Sequence, residues 1–261
     1  MLAEELIEIE ERPREVAQFT QRYPSLTPEQ GYQAALALHR HRIARGWRPI
    51  GRKIGFTNRT IWPRYGVYEP IWGTVYDRTA TWAKDGTAEI PLDGLVQPRI
   101  EPEICFRMKA APSSAEPRAL LAAIDWVAHS IEIVHCYHPQ WKLALADCTS
   151  ANGLHGRLAI GDPRPISSLA NAEETLSTFQ VALRKGGTVV DRGAGSNVLG
   201  SPLLALAHLV TVLEKSGAQA LAAGEIVSTG TLTDAHPVAR GEAWSTEFNG
   251  LPLPGLTVRF V

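Results

Sequence analysis

The residues best able to do chemistry lie in two acidic segments. In Pro98-Arg99-Ile100-Glu101-Pro102-Glu103-Ile104-Cys105-Phe106, the apolar Ile100, Ile104 and Phe106 alternate with Glu101, Glu103 and Cys105. In a strand, that period of two sends the apolar set to one face and both carboxylates to the other. Ser130-Ile131-Glu132-Ile133-Val134 instead places a single Glu inside a β-branched apolar run. Taken alone, Glu101 and Glu103 also fit a solvated strand face. Glu132 does not, because a carboxylate within an apolar strand needs a partner or a metal. Were the three to converge, each pair about 4 Å apart would repel by roughly 4 kcal/mol at an effective dielectric near 20. No nearby run of Lys or Arg offers to neutralise them. Oxygen-only ligation suits a hard cation that keeps water positions, so the expected metal is Mg²⁺ rather than Zn²⁺, with Mn²⁺ as a substitute.

Several other segments must position this chemistry. Residues 2–22 read as helix interrupted at Pro13. Thr27-Pro28-Glu29-Gln30 is a helix start, with Thr27 as N-cap, Pro28 at the first helical position and Gln30 three residues after the cap. That helix is expected to run to Arg45 and stop at Gly46. Ile50 to Thr57 is a short strand carrying Lys53 between glycines, a lysine that points either into a cleft or to solvent. The aromatic stretch 58–77 reads as an ordered loop over a site or over the core. Pro102 cannot donate to a ladder, so the acidic strand is expected at a sheet edge or with a bulge. Pro117 to Ile124 is a short helix before the Glu132 strand. Trp141 to Gly156 follows as a small-residue loop bearing Asp147, Thr149, Asn152 and His155, and such loops hold active-site groups more often than packing groups. Phe179 to Val190 is a hairpin turning at Gly186-Gly187. Gly193 to Gly200 lacks the Lys-Ser/Thr ending of a phosphate loop. Ser201-Pro202 starts an apolar helix with Gly217 as its stop, and strands follow at 227–233, 244–248 and 256–261. A mostly helical N-terminal third and a strand-rich remainder argue for an α+β fold.

Composition narrows the classes. A chain of 261 residues, 44% hydrophobic and 20% charged, can bury one sizeable core. A net charge of −1 gives no footprint for nucleic acid or a membrane surface. Cys105, Cys136 and Cys148 are odd in number and lack close metal-ligand spacing, which suits reduced thiols in the cytoplasm. The acidic N-terminus has neither the basic region nor the apolar core of a signal peptide. No stretch approaches the roughly 20 apolar residues of a membrane-spanning helix.

In their order along the chain, Gly51 to Thr57, Pro98 to Phe106, Ile131 to Val134, Trp141 to Asp147 and Val227-Ser228-Thr229-Gly230-Thr231-Leu232-Thr233 resemble the fumarylacetoacetate hydrolase superfamily. The resemblance is to its hydratase/decarboxylase branch, and it covers nearly the whole chain. It implies a mixed β-sheet roll (81–261) with a smaller, largely helical N-terminal part (1–80), and Mg²⁺ or Mn²⁺ held by Glu101, Glu103 and Glu132. The family's motif lysine falls on Lys53 and a second lysine on Lys142, while Asp147 and Asn152 also match family positions. Lys53 would bind a substrate carboxylate or shuttle a proton, with Asp147 or His155 as proton donor or water activator. Lys142, Asn152 and Thr229 would contact substrate. Where many hydratases carry paired serines, this chain has Leu154 and His155. The implied activity is hydration of a 2-hydroxy-dienoic (2-oxo-enoic) acid in aromatic-compound catabolism, by a cytoplasmic homo-oligomer. The alternatives are decarboxylation of a 2-oxo-enedioate, hydrolysis of a 1,3-diketone, or a non-catalytic subunit that keeps the fold.

Overall fold

The acidic strand lies inside a sheet, not at its edge. The structure, a computed structural model, describes residues 2–216 and 218–261. Its helices are α1 (Leu2–Glu11), α2 (Phe19–Arg22), α3 (Pro28–Ala44), α4 (Trp62–Tyr65), α5 (Pro117–Ala123), α6 (Leu145–Ser150), α7 (Ala172–Thr178) and α8 (Pro202–Ser216). The strands of the first half are β1 (Pro49–Gly55), β2 (Ile71–Tyr76), β3 (Ala80–Trp82), β4 (Thr87–Ile90), β5 (Arg99–Met108) and β6 (Ile124–Val134). Those of the second half are β7 (His155–Ile160), β8 (Arg164–Pro165), β9 (Gln180–Lys185), β10 (Thr188–Ala194), β11 (Ile226–Ser228), β12 (His236–Pro237), β13 (Ala243–Asn249) and β14 (Thr257–Phe260). One mixed sheet has nine strands in the order β2-β1-β11-β5-β6-β7-β3, with β12 beside β5 and β8 beside β6. A second has five, β10-β9-β13-β14-β4. The α+β class read from the sequence is the class found.

Alternation along β5 and β6 decides what each face meets. Ile100, Ile131 and Ile133 pack with Leu183, Trp244, Val258 and Phe260 between the two sheets. Ile104 and Phe106 join Val227 and the apolar stripe of α8, including Leu206 and Leu209. Each such side chain, once buried, contributes roughly 1.5–3 kcal/mol. With the apolar face spent on the core, the carboxylate face is left for a site. The N-terminal helices cover that side: Leu6, Ile9 and Phe19 pack with Val134, Trp141, Leu143 and Leu154. No helix of the described residues is long and apolar enough to cross a membrane.

Local signals explain several elements. Thr27 Oγ1 accepts from Gln30 N and Thr27 N donates to Gln30 Oε1, the reciprocal cap expected for α3. Gly186 and Gly187 take φ 52° and 87° between paired Lys185 and Thr188, as a two-residue hairpin turn requires. The stop expected at Gly217 lies outside the described residues.

Other expectations need correction. The helix of 2–22 ends at Glu11, and only Phe19–Arg22 resumes it. The aromatic stretch is not all loop, since its C-terminal part is β2, antiparallel to β1. The strand expected over 227–233 stops at Ser228. Pro102 is tolerated in an interior strand because its neighbour is broken there: β11 covers Cys105 to Arg107, β12 covers Arg99 and Ile100, and a turn between them donates Leu232 N–H to Pro102 O. The missing proline donor faces that gap.

Candidate metal and substrate site

Register brings the carboxylates together. Glu101 sits directly opposite Glu132 across the antiparallel β5–β6 pair, and Glu103 opposite Ser130. Residues two apart share a face, so one carboxylate oxygen from each of Glu101, Glu103 and Glu132 lies within 4.8 Å of the others. Across β5, β11 and β1, Cys105, Ser228 and Lys53 fall in one row. That row puts the lysine on the carboxylate face, with Lys53 Nζ 3.1 Å from Glu132 Oε2 and donating to Gly153 O at 3.0 Å.

Two of the three ligand candidates are half satisfied by the protein. Glu103 Oε2 accepts from Ser228 Oγ and from Gly230 N at 2.9 Å. Glu132 Oε1 accepts from His155 Nδ1 at 2.7 Å. Glu103 Oε1 and Glu132 Oε2 are buried without any hydrogen-bond donor, Lys53 being in ionic contact with the latter but not aligned as a donor. Buried carboxylate oxygens without a hydrogen-bond donor, beside a third carboxylate, fit a divalent cation. Gly230 must be glycine: φ is 97°, and a Cβ there would meet Thr57 Oγ1 at 1.9 Å.

Electrostatics divides the trio. Burial pushes Glu101 up to about 7 against the pull of Lys53, and burial with the neighbouring Glu132 pushes Glu103 well above its ordinary range. Burial would raise Glu132 too, but Lys53 and the His155 hydrogen bond outweigh it and hold Glu132 low. Burial alone would lower Lys53, yet Glu132, Glu101 and Glu103 keep it above the ordinary lysine range. The metal-free site is therefore a lysine ammonium among carboxylates of which Glu132 is the most readily ionised. No run of Lys or Arg nearby in sequence neutralises the trio; Lys53 does so from a strand distant in sequence.

A narrow cavity opens on this face, lined by Lys53, Glu101, Phe56, Tyr65, Trp141 and Leu154, with Arg64 and Thr231. Through Arg64, Tyr65 and Trp141 it adjoins an outer chamber of about 470 Å³ that also contains Arg99 and Lys142. Phe56, Trp141 and Leu154 hold positive φ (54°, 58° and 65°), so strained backbone clusters on the cavity wall. Tyr65 Oη accepts from Arg99 Nη1 at 2.8 Å, which leaves its own proton free for another acceptor.

The sequence-derived site residues divide by location. Lys53, Glu101, Glu103 and Glu132 come together. His155 lies behind Glu132, with Nε2 2.8 Å from Thr79 Oγ1, and does not line the cavity. Asp147 is fully buried: Oδ1 accepts from Thr20 N, and Oδ2 from Thr20 Oγ1 and Ala144 N, at 2.8–2.9 Å. Those bonds make it the cap of α6 and tie α2 down, away from the cavity. Asn152 pairs with both Thr74 N and Thr74 O, clamping its loop to β2. Thr229 Oγ1 donates to Ile104 O. Lys142 is exposed at the outer chamber. Sequence reasoning missed Ser228, Gly230, Tyr65, Arg64 and Arg99. Strand parity held two of these signals: Ser228, not Thr229, shares the carboxylate row, and Arg99 lies two residues before Glu101.

Comparison with known proteins bears on the same site. No protein-family profile matches the chain. It is 32% identical over 245 residues to 2-hydroxyhexa-2,4-dienoate hydratase of Comamonas testosteroni, covering 91% of this chain and 89% of the relative. The chain belongs to the hydratase/decarboxylase branch of the fumarylacetoacetate hydrolase superfamily. Within that branch it is also 31% identical over 253 residues to 4-oxalocrotonate decarboxylase of Pseudomonas sp. strain CF600, covering 96% and 92% of the two chains. Among solved structures, 4-oxalocrotonate decarboxylase from Pseudomonas putida G7, complexed with magnesium and adipate, superposes with a TM-score of 0.89 at 28% identity, covering 100% of this chain and 96% of that one. Branch membership makes the chain an enzyme of this hydratase/decarboxylase class.

Proposed function

We propose that the chain is a Mg²⁺-dependent hydro-lyase that adds water to a 2-hydroxy-dienoic (2-oxo-enoic) acid. Mn²⁺ would serve as a substitute, and the setting would be aromatic-compound catabolism in a cytoplasmic homo-oligomer. The observation that carries the reading is the pair of donor-free oxygens, Glu103 Oε1 and Glu132 Oε2, beside Glu101 and Lys53. The hydratase relative adds support. A divalent cation held there by Glu101, Glu103 and Glu132 would supply Lewis-acid stabilisation to the charge that develops on a 2-oxo acid.

The remaining work falls to the chain. Lys53 Nζ, held by Gly153 O against Glu132, is placed to bind the substrate carboxylate or to carry a proton. Tyr65 Oη, positioned by Arg99, has its proton available to the substrate chain. Phe56, Trp141 and Leu154 give the reacting carbons an apolar wall and limit water to what the chemistry uses. Asp147 takes no part. His155 acts through Glu132, whose carboxylate it orients.

One observation favours a second reading, decarboxylation of a 2-oxo-enedioate. The outer chamber gathers Arg64, Arg99 and Lys142, and Arg99 Nε is buried without an acceptor, which suits a second carboxylate on the substrate. Purified protein with Mg²⁺ separates the readings when 2-hydroxypenta-2,4-dienoate and 4-oxalocrotonate are followed side by side by NMR. A 4-hydroxy-2-oxo product from the first supports hydration. CO₂ from the second without a hydrated product replaces that reading, and silence on both, with metal bound, refutes the lyase assignment.

A further inference from the structure

On the far side of Glu132 from the metal cavity, a second pocket of about 320 Å³ reaches in from solvent to His155 and Thr79. Four guanidinium groups line it, Arg42, Arg45, Arg78 and Arg157, against two carboxylates, Glu10 and Glu11. Both carboxylates are engaged. Glu10 takes Arg42 Nε and Nη2 at 2.9 Å each, and Glu11 takes Arg45 Nη1 at 2.9 Å. The groove lining therefore carries two more guanidinium groups than carboxylates.

The arginines that carry this excess are identifiable. Among the described residues, Arg78 and Arg157 have no carboxylate within ion-pair distance. Arg78 Nη2 reaches only the Arg45 carbonyl, and its guanidinium lies 5.7 Å over the Trp47 ring. Arg157 reaches only the carbonyls of Gly156 and Asp93, and the Asp93 side chain is taken by Arg240. A third signal is deeper. The Arg42 side chain is 8% exposed, yet its Nη1 has no acceptor. Burial, and then the neighbouring Arg42, hold Arg157 below the ordinary arginine range against the pull of Asp93. Desolvated guanidinium donors without acceptors are costly. Their planar forks match the paired oxygens of a carboxylate or phosphate.

We propose that this groove is an anion-binding site, separate from the metal cavity, that takes the carboxylate or phosphate group of a small molecule on Arg78 and Arg157. Because the groove ends at His155, the ligand sits one side chain away from Glu132. The site is independent of which reaction the metal cavity performs.

Calorimetry with inorganic phosphate, and separately with malonate, on the full chain at constant ionic strength tests it. The expected result is saturable binding of at least one of the two anions, weakened about tenfold or more in Arg78→Ala and in Arg157→Gln but unchanged in Arg118→Ala on the exposed face of α5. Arg78 is exposed and makes one backbone bond, so its variant gives a readout even if Arg157→Gln fails to fold. No saturable binding of either anion overturns the proposal, as does binding that is lost in Arg118→Ala and kept in Arg78→Ala. Absence of anion binding with a changed assembly size in Arg78→Glu also overturns it, making the groove a contact between copies of the chain.

Discussion

Replacing Lys53 by Met removes the ammonium that lies 3.1 Å from Glu132. At that separation and an effective dielectric near 20, the Coulomb attraction is about 5 kcal/mol. The net loss is smaller, roughly 3 kcal/mol, because the variant also escapes the cost of burying an ammonium and Glu101 can retain a proton. In a chain of this size each kcal/mol moves Tm by roughly 2–4 °C, so in chelator the variant is expected to melt about 6–12 °C below wild type. Saturating Mg²⁺ replaces the missing positive charge, and there the gap should close to a few degrees while Mg²⁺ affinity holds or tightens. Scanning calorimetry of both proteins, with chelator and with Mg²⁺, reads the difference directly. An equal loss in both conditions would show Lys53 to be a packing residue unrelated to a cation site. No loss in chelator would remove the ion pair from the account.

Three further outcomes follow from the same geometry. His155→Ala deletes the bond that orients Glu132, so Mg²⁺ affinity should fall about 10–100-fold while kcat at saturating metal stays near wild type. A fall in kcat with unchanged metal affinity would instead make His155 an acid–base group. Asp147→Ala removes three hydrogen-bond acceptor contacts from a fully buried cap and should cost about 2–4 kcal/mol in urea unfolding with KM unchanged, and a wild-type midpoint would refute the capping role. Because burial pushes Glu101 up to about 7 from an ordinary 4.5, and raises Glu103 as well, the metal-free fold holds protons that the unfolded chain gives up. That contribution is fully present below pH 4.5 and is lost as pH rises through 7. Mg²⁺ must expel those protons, so its affinity should tighten as pH rises toward 7, and calorimetry in buffers of different ionisation enthalpy would contradict this if no proton were released at pH 6.

The residues of the site were more legible than their geometry. Alternation in β5 and the lone Glu132 marked three carboxylates, but their convergence depends on the pairing of Glu101 with Glu132, which no local pattern states. Lys53 was visible as a lysine between glycines, whereas its partner came only from the parallel pairing of β1 with β11. Thr229 Oγ1 turns to Ile104 O while Ser228, one residue earlier, lies on the carboxylate face, because adjacent residues point to opposite faces. Asp147 drew attention as a polar residue in a small-residue loop. Its place three residues after Ala144 is equally that of a capping acid, and the helix it starts was hidden by the loop's composition. Pro102 pointed to a sheet edge or a bulge; β5 shifts register only at Arg107/Met108, and the gap between β11 and β12 that accommodates Pro102 is a property of tertiary folding. In Ile71–Tyr76 the aromatic content masked a strand that is buried at five of its six positions and so shows no alternation.

A divalent cation belongs beside Glu103 Oε1, which has no hydrogen-bond donor, and Glu132 Oε2, which meets only the Lys53 ammonium. Titration of Mg²⁺ into wild-type protein, Glu103→Gln and Glu132→Gln by calorimetry, with circular dichroism confirming the fold, tests that most directly. One Mg²⁺ per chain in the wild type and affinity lowered about 100-fold or more in each variant is the result expected. Wild-type affinity in both variants would contradict it.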